Sequence, residues 1–147
     1  MIVNPIPEGF HTITPFFTAQ DANKLLKFLK KAFNAEEQEI HTNENGKILN
    51  AIIKIGDSMV MVGEAHNGVE ESKVMKSMLY MYVTDVDSLY KNAILAGGKS
   101  IMEPINQFYG DRSGAVEDPE GNQWWIATHI EALSREEINK RAAQRYK

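Results

Sequence analysis

The spacing of apolar positions changes period along the chain, and each change marks an element. Residues 21–33 carry Ala22, Leu25, Leu26, Phe28, Leu29, Ala32 and Phe33 at helical spacing with lysines between them, which predicts an amphipathic helix. Asn34 is placed to end it in a left-handed turn. Residues 48–55 alternate instead, with Leu49, Ala51, Ile53 and Ile55 as a clean apolar row and Ile48, Asn50, Ile52 and Lys54 as a mixed one. This predicts a strand whose clean row meets the helix. Residues 36–41 pair with it as a hairpin turning at Asn45-Gly46, and a further strand over 58–62 follows the Gly56-Asp57 turn. Ahead of the helix, residues 12–17 read as a strand with Thr12, Thr14 and Phe16 on one face, where Pro15 marks an edge or a missing ladder bond.

The same order then returns. A strand is expected over 78–83 and a helix over 85–96, capped by Asp85 and stopped by Gly97-Gly98; strands over 99–102, 114–117 and 123–128 follow. A shift of about 64 residues lays Asp21 on Asp85, Leu25 on Leu89, Ala32 on Ala96 and Gly56 on Gly121, an internal repeat of a β-α-β-β-β unit. Asp118-Pro119-Glu120-Gly121 is a strong turn signal, because Pro presets φ and Gly supplies freedom that a Cβ forbids. Residues 1–10 read as an extended lead-in and residues 64–76 as a polar connector. The tail over 134–146 opens with a capping box, Ser134 and Glu137, and reads as a charged surface helix or a partner-facing one. The fold class expected is α+β, one domain over 1–147, with module one at about 10–63 and module two at about 77–129.

Composition acts mainly by exclusion. At 147 residues and 43% hydrophobic content the chain can fill one core and is short for two. A net charge of −4, a pI near 5.6 and scattered Lys and Arg leave no basic stripe, so neither nucleic acid nor an anionic membrane is an expected partner. The absence of cysteine excludes disulfides and thiolate chemistry. There is no basic leader and no run of about 18 apolar residues, so a cytoplasmic protein is expected.

Several motifs carry a resemblance when taken in order: Thr14-Pro15, Ile55-Gly56-Asp57-Ser58, Tyr82-Val83-Thr84-Asp85-Val86-Asp87, Tyr109-Gly110-Asp111-Arg112 and Asp118-Pro119-Glu120-Gly121-Asn122-Gln123-Trp124. Together with the repeat they resemble the vicinal oxygen chelate superfamily, the glyoxalase, bleomycin-resistance and dioxygenase group, and within it the PhnB-like branch. The resemblance spans roughly residues 9–132 and implies two modules whose curved sheets form a cup, helices outside, a ligand within and pairing into a homodimer. Metal enzymes of the family place a His, Glu or Gln ligand on the first and last strands of each unit, since a divalent ion needs several N or O donors converging. Through the repeat those positions fall at Thr14, Val60, Met78 and Trp125, and Asn50 and Asn122 stand where the branch commonly carries His. No metal and no cofactor is therefore expected.

The row opposite the clean one would line the cup: Thr14, Phe16, Asn50, Ile52, Val60, Met78, Tyr80, Ala115, Glu117 and Trp125. It reads either as an apolar, aromatic-rich pocket or as the filling of a closed core. In the first reading Trp125, Tyr80 and Tyr109 stack on a planar small-molecule ligand, Asn50 orients it, and Arg112 clamps a carboxylate or phosphate. In the second, Arg112 pairs with Asp111 or Glu117. Glu117 is the one carboxylate placed inside the cup and hence the candidate general base; its plainer alternative is an exposed strand-end carboxylate. His11, His41, His66 and His129 are read as solvated. The function expected is a metal-free binder of a small apolar or aromatic molecule. The competing readings are an isomerase or lyase, with or without a metal on other ligands, and a structural dimer module.

Overall fold

The structure, a computed structural model, describes residues 2–65 and 74–146. The expected connector over 64–76 and His66 therefore lie largely outside the described residues. β1 (Phe16–Ala19) leads into α1 (Ala22–Phe33), and β2 (Glu36–Thr42), β3 (Ile48–Ile55) and β4 (Ser58–Glu64) follow as a meander. β4 returns parallel to β1, giving the order β1-β4-β3-β2. The second module repeats this with β5 (Met78–Tyr82), α2 (Val86–Leu95), β6 (Lys99–Asn106), β7 (Asp111–Glu117) and β8 (Gln123–His129), in the order β5-β8-β7-β6. α3 (Arg135–Arg145) closes the chain. The fold is α+β, and the described residues form two four-stranded mixed sheets and three helices, with each module following the β-α-β-β-β order of the repeat.

The helices of the two modules start in the same way. The Asp21 side chain accepts from Lys24 N at 3.0 Å, and Asp85 accepts from Ser88 N at 3.1 Å. These caps satisfy backbone donors that the first turn leaves free. Asn34 takes the left-handed conformation, φ 55°, and its N–H reaches Lys30 O while Ala35 N reaches Leu29 O.

Four boundaries differ from the sequence reading, each for a local reason. β1 begins at Phe16, so Thr12 and Thr14 precede the strand; Pro15 has no N–H to give, although its carbonyl accepts from Met61 N. The β2–β3 turn centres on Glu44-Asn45, with Gly46 N donating to Asn43 O and Gly46 at φ 80°. Gly46 thus supplies the left-handed residue after the turn, not a central one. β6 runs on through Pro104, which an edge strand tolerates, and its register breaks between Met102 and Ile105. β7 begins at Asp111 rather than at 114, which proves to matter for the site.

α1 buries Leu25, Leu26, Phe28, Leu29, Ala32 and Phe33 against Phe17, Ala51, Ile53 and Val62 of its own sheet. Leu49, first in the clean row, turns away from the helix instead: β2 pairs His41 with Asn50 and Thr42 with Ile48, so Leu49 is the extra residue of a bulge and lies exposed on the opposite face while Ile48 packs on the core. α2 covers β6, β7 and β8, and the modules join where α1 packs on α2. Trp124 completes the joint, its ring stacked on Phe17 at 5.1 Å and tilted against Phe33 at 5.0 Å. Both sheets thus turn their helix-covered faces toward one shared core. Among the described residues no helix is long and apolar enough to cross a membrane.

Candidate functional site

Strand register decides which side chains leave the core. In sheet one, Ile53 opposes Val60 and Ala51 opposes Val62, and all four are buried under α1. Val60 accordingly belongs to the core and not to the cup row, because directly paired residues share a face. The opposite face holds Phe16, Thr18, Asn50, Ile52, Met61 and Gly63, which line an open trough of about 640 Å³. The Phe16 ring lies across Gly63: a Cβ there would sit 2.7 Å from Phe16 Cζ. Glycine at 63 therefore lets the ring lie flat on the sheet.

In sheet two, Val116 and Ile126 face the core with Trp124. Tyr80, Trp125 and Ala115 stand in one row on the other face, Tyr82, Ala127 and Ser113 in the next, and His129 and Asp111 in the last. This face carries a polar constellation on an aromatic wall. Asp111 is 2% exposed, and its Oδ2 accepts from the hydroxyls of Tyr80 at 2.7 Å and Tyr82 at 2.9 Å. Its Oδ1 lies 2.9 Å from His129 Nδ1. An ionised carboxylate only accepts, so Nδ1 is a donor, and in the neutral ring Nε2 is the acceptor.

Electrostatics follow from this geometry. Burial works against the charge on Asp111, but the bonds from His129, Tyr80 and Tyr82 outweigh it and hold its pKa below the usual carboxylate value. Burial first, then hydrogen bonds with Tyr109 and Asp111, push the Tyr80 hydroxyl well above its ordinary value. The bond to Asp111 raises that of Tyr82. These hydroxyls stay protonated as donors to one buried anion.

The expected site residues separate into groups. Phe16 and Asn50 line the trough of sheet one, while Tyr80 and Trp125 share the open face of sheet two. The Tyr109 hydroxyl lies 3.4 Å from that of Tyr80. Met78 is exposed at the head of β5, and Thr14 is half-buried ahead of β1. Arg112 leaves this company: its Nε and Nη2 grip Asp87 of α2 at 2.9 Å each, and its Nη1 donates to Asn106. Its register partner Thr128 bonds the start of α2 as well, so Arg112 points to the helix side and its fork is already filled. The partner is Asp87 rather than Asp111 or Glu117. Glu117 ends β7, six residues and about 20 Å from Asp111 at the usual strand rise, with Gln123 opposite.

Asp111 and His129 were hidden from sequence reasoning by the late start expected for the 114–117 strand. Carried three residues back, its alternation would have set Ser113 and Asp111 on the face of Ala115, opposite Ala127 and His129. The Asp118 turn is structural. Its carboxylate accepts from Glu120 N, Asn122 N, Asn122 Nδ2 and Trp124 Nε1, and Asn122 Oδ1 holds Ser77 N at 2.9 Å.

Thr14, Val60, Met78 and Trp125 offer a hydroxyl, a thioether and apolar groups, a donor set that does not fit a divalent ion. Among the described residues no group of three or more His, Cys, Asp or Glu could hold a metal.

The chain is similar to known proteins in sequence and in structure. An uncharacterized protein of Mycobacterium bovis is 28% identical over 134 residues, covering 86% of this chain and 88% of its own. One from Mycobacterium tuberculosis is 28% identical over 86% of this chain and 79% of its own. Among solved structures, TioX from Micromonospora superposes with a TM-score of 0.70 at 20% identity, covering 82% of this chain and 99% of its own. FosX, the fosfomycin resistance protein of Listeria monocytogenes complexed with Mn(II) and sulfate, gives 0.62 at 20% identity, over 90% and 97%. Residues 9–126 match the family described as Glyoxalase/Bleomycin resistance protein/Dioxygenase superfamily, and the chain belongs to that superfamily.

Proposed function

We propose that the protein binds a small planar or apolar molecule in a cup made by two copies of the chain, the open face of sheet one in one protomer closing over that of sheet two in its partner. The motif order quoted above supports a place in the PhnB-like branch. The observation that carries the proposal is the orientation of the two open faces. The modules meet through α1, α2 and Trp124, so the faces that would wall the cup do not stack on each other within one chain. Each keeps large apolar groups in solvent: Phe16 is 56% exposed, Met78 62% and Tyr82 65%. Such rows are costly to leave wet at roughly 25 cal/mol per Å² and mark interaction surfaces. A homodimer would cover them and leave the trough as the ligand space.

Light scattering gives the first test, with a dimer expected at micromolar concentration. Tryptophan fluorescence titrated with planar aromatic compounds gives the second. Quenching that disappears in Trp125→Phe supports the cup. A monomer whose emission ignores every compound overturns the proposal and favours faces filled by their own side chains.

A further inference from the structure

We propose that His129, oriented by Asp111, is a proton-accepting site on the open face of sheet two, which takes planar ligands bearing a weakly acidic O–H or N–H on the rim. The inference rests on the cup reading above and names the ligand chemistry of one wall.

Three features of the geometry converge. The first is the orienting bond: Asp111 Oδ1 holds His129 Nδ1 at 2.9 Å, so the tautomer leaves Nε2 as an acceptor. The second is contrast in burial. Asp111 is 2% exposed, whereas the His129 side chain is 58% exposed, so the carboxylate is shielded and the imidazole reaches solvent from the same face as Trp125. The third is the aromatic surface beside it, where the Tyr80 and Tyr82 rings meet edge to face at 5.4 Å and Tyr80 neighbours Trp125. An aromatic wall selects planar ligands, and a lone pair at its edge selects those with a proton to give.

The transfer balances without a co-reactant. The ligand O–H or N–H bond breaks, its electron pair stays on the ligand heteroatom, and the proton forms a new N–H at Nε2. The resulting imidazolium lies between the Asp111 carboxylate and the ligand anion, with opposite charge on both sides. Tyr80 and Tyr82 on β5 donate to the same carboxylate, and Tyr109 lies beyond Tyr80. On α3 the charged Arg141 is paired with Glu131 and Glu137. Asp111 acts here as a positioning residue.

The test compares 4-nitrophenol, whose anion is coloured, with 4-nitroanisole, which has the same ring and no acidic proton. With the full chain, both should quench tryptophan emission. Binding should raise the phenolate-to-phenol ratio of nitrophenol about tenfold at a pH where the free probe is mainly neutral. His129→Gln should keep the quenching by both probes and lose the colour change. Asp111→Asn should move the pH at which colour develops upward. Quenching by both with no colour change, or an equal change in His129→Gln, overturns this inference and leaves the cup standing. Failure of both probes to quench overturns it together with the cup reading.

Discussion

The indole N–H of Trp124 donates to Asp118 Oδ2 at 2.9 Å while the same ring stacks on Phe17 at 5.1 Å. One side chain therefore ties the turn of the second module to the core of the first. Trp124→Phe retains the stacking and loses the bond to a buried carboxylate, which should cost about 1–3 kcal/mol. Trp124→Ala empties the joint as well and should cost about 3–5 kcal/mol. Urea unfolding of both variants checks the order and the gap between them.

Gly63 carries no side chain where the Phe16 ring crosses it. The atom that a Cβ would meet is the far end of an exposed ring, so Gly63→Ala should swing Phe16 away at a cost within about 1 kcal/mol of stability. The trough changes shape even so. Ligand affinity in a fluorescence titration should fall while the thermal midpoint moves little, and the opposite pattern would show that Phe16 is only packing.

Asp111 gives stability a defined dependence on acid. Its pKa in the fold lies below the usual 3.8, so its contribution is complete above that value and is lost as pH falls through the folded one. Urea midpoints measured from about pH 6 down to pH 2 should fall more steeply in the natural protein than in Asp111→Asn, which has no carboxylate to protonate. Parallel curves would count against the bonds from Tyr80, Tyr82 and His129.

Arg112 and Glu117 should both be dispensable for ligand. Arg112 is engaged with Asp87, whose pKa that ion pair lowers, and Glu117 sits at the far end of β7 from His129. Arg112→Ala and Glu117→Gln should leave the titration with planar compounds unchanged. A large loss of affinity in Arg112→Ala would mean that the fork releases Asp87 for an anionic ligand.

Helices, hairpins and the repeat were legible because each rests on short-range chemistry. Asp21 and Asp85 cap as their spacing predicts, Asn34 turns left-handed, and the apolar residues of α1 all face inward. The site was half legible. Phe16, Asn50, Tyr80 and Trp125 follow from alternation within strands whose centres were clear. Val60 did not, because the face a strand presents depends on its partner's register: opposite Ile53 it must be buried. Arg112 found Asp87 on another element, a pairing that no local pattern encodes. Asp111, Tyr82 and His129 lie 29 and 18 residues from one another along the chain and meet only when β5, β7 and β8 align.

The aromatic joint also bears on how the polypeptide is made. Phe17 and Phe33 are finished early in synthesis, yet the ring that shelters them belongs to the last strand. A nascent first half must wait, greasy and uncapped, until residue 124 leaves the ribosome. Each half thus covers apolar surface of the other, and severing them should yield fragments that aggregate alone and recover when mixed.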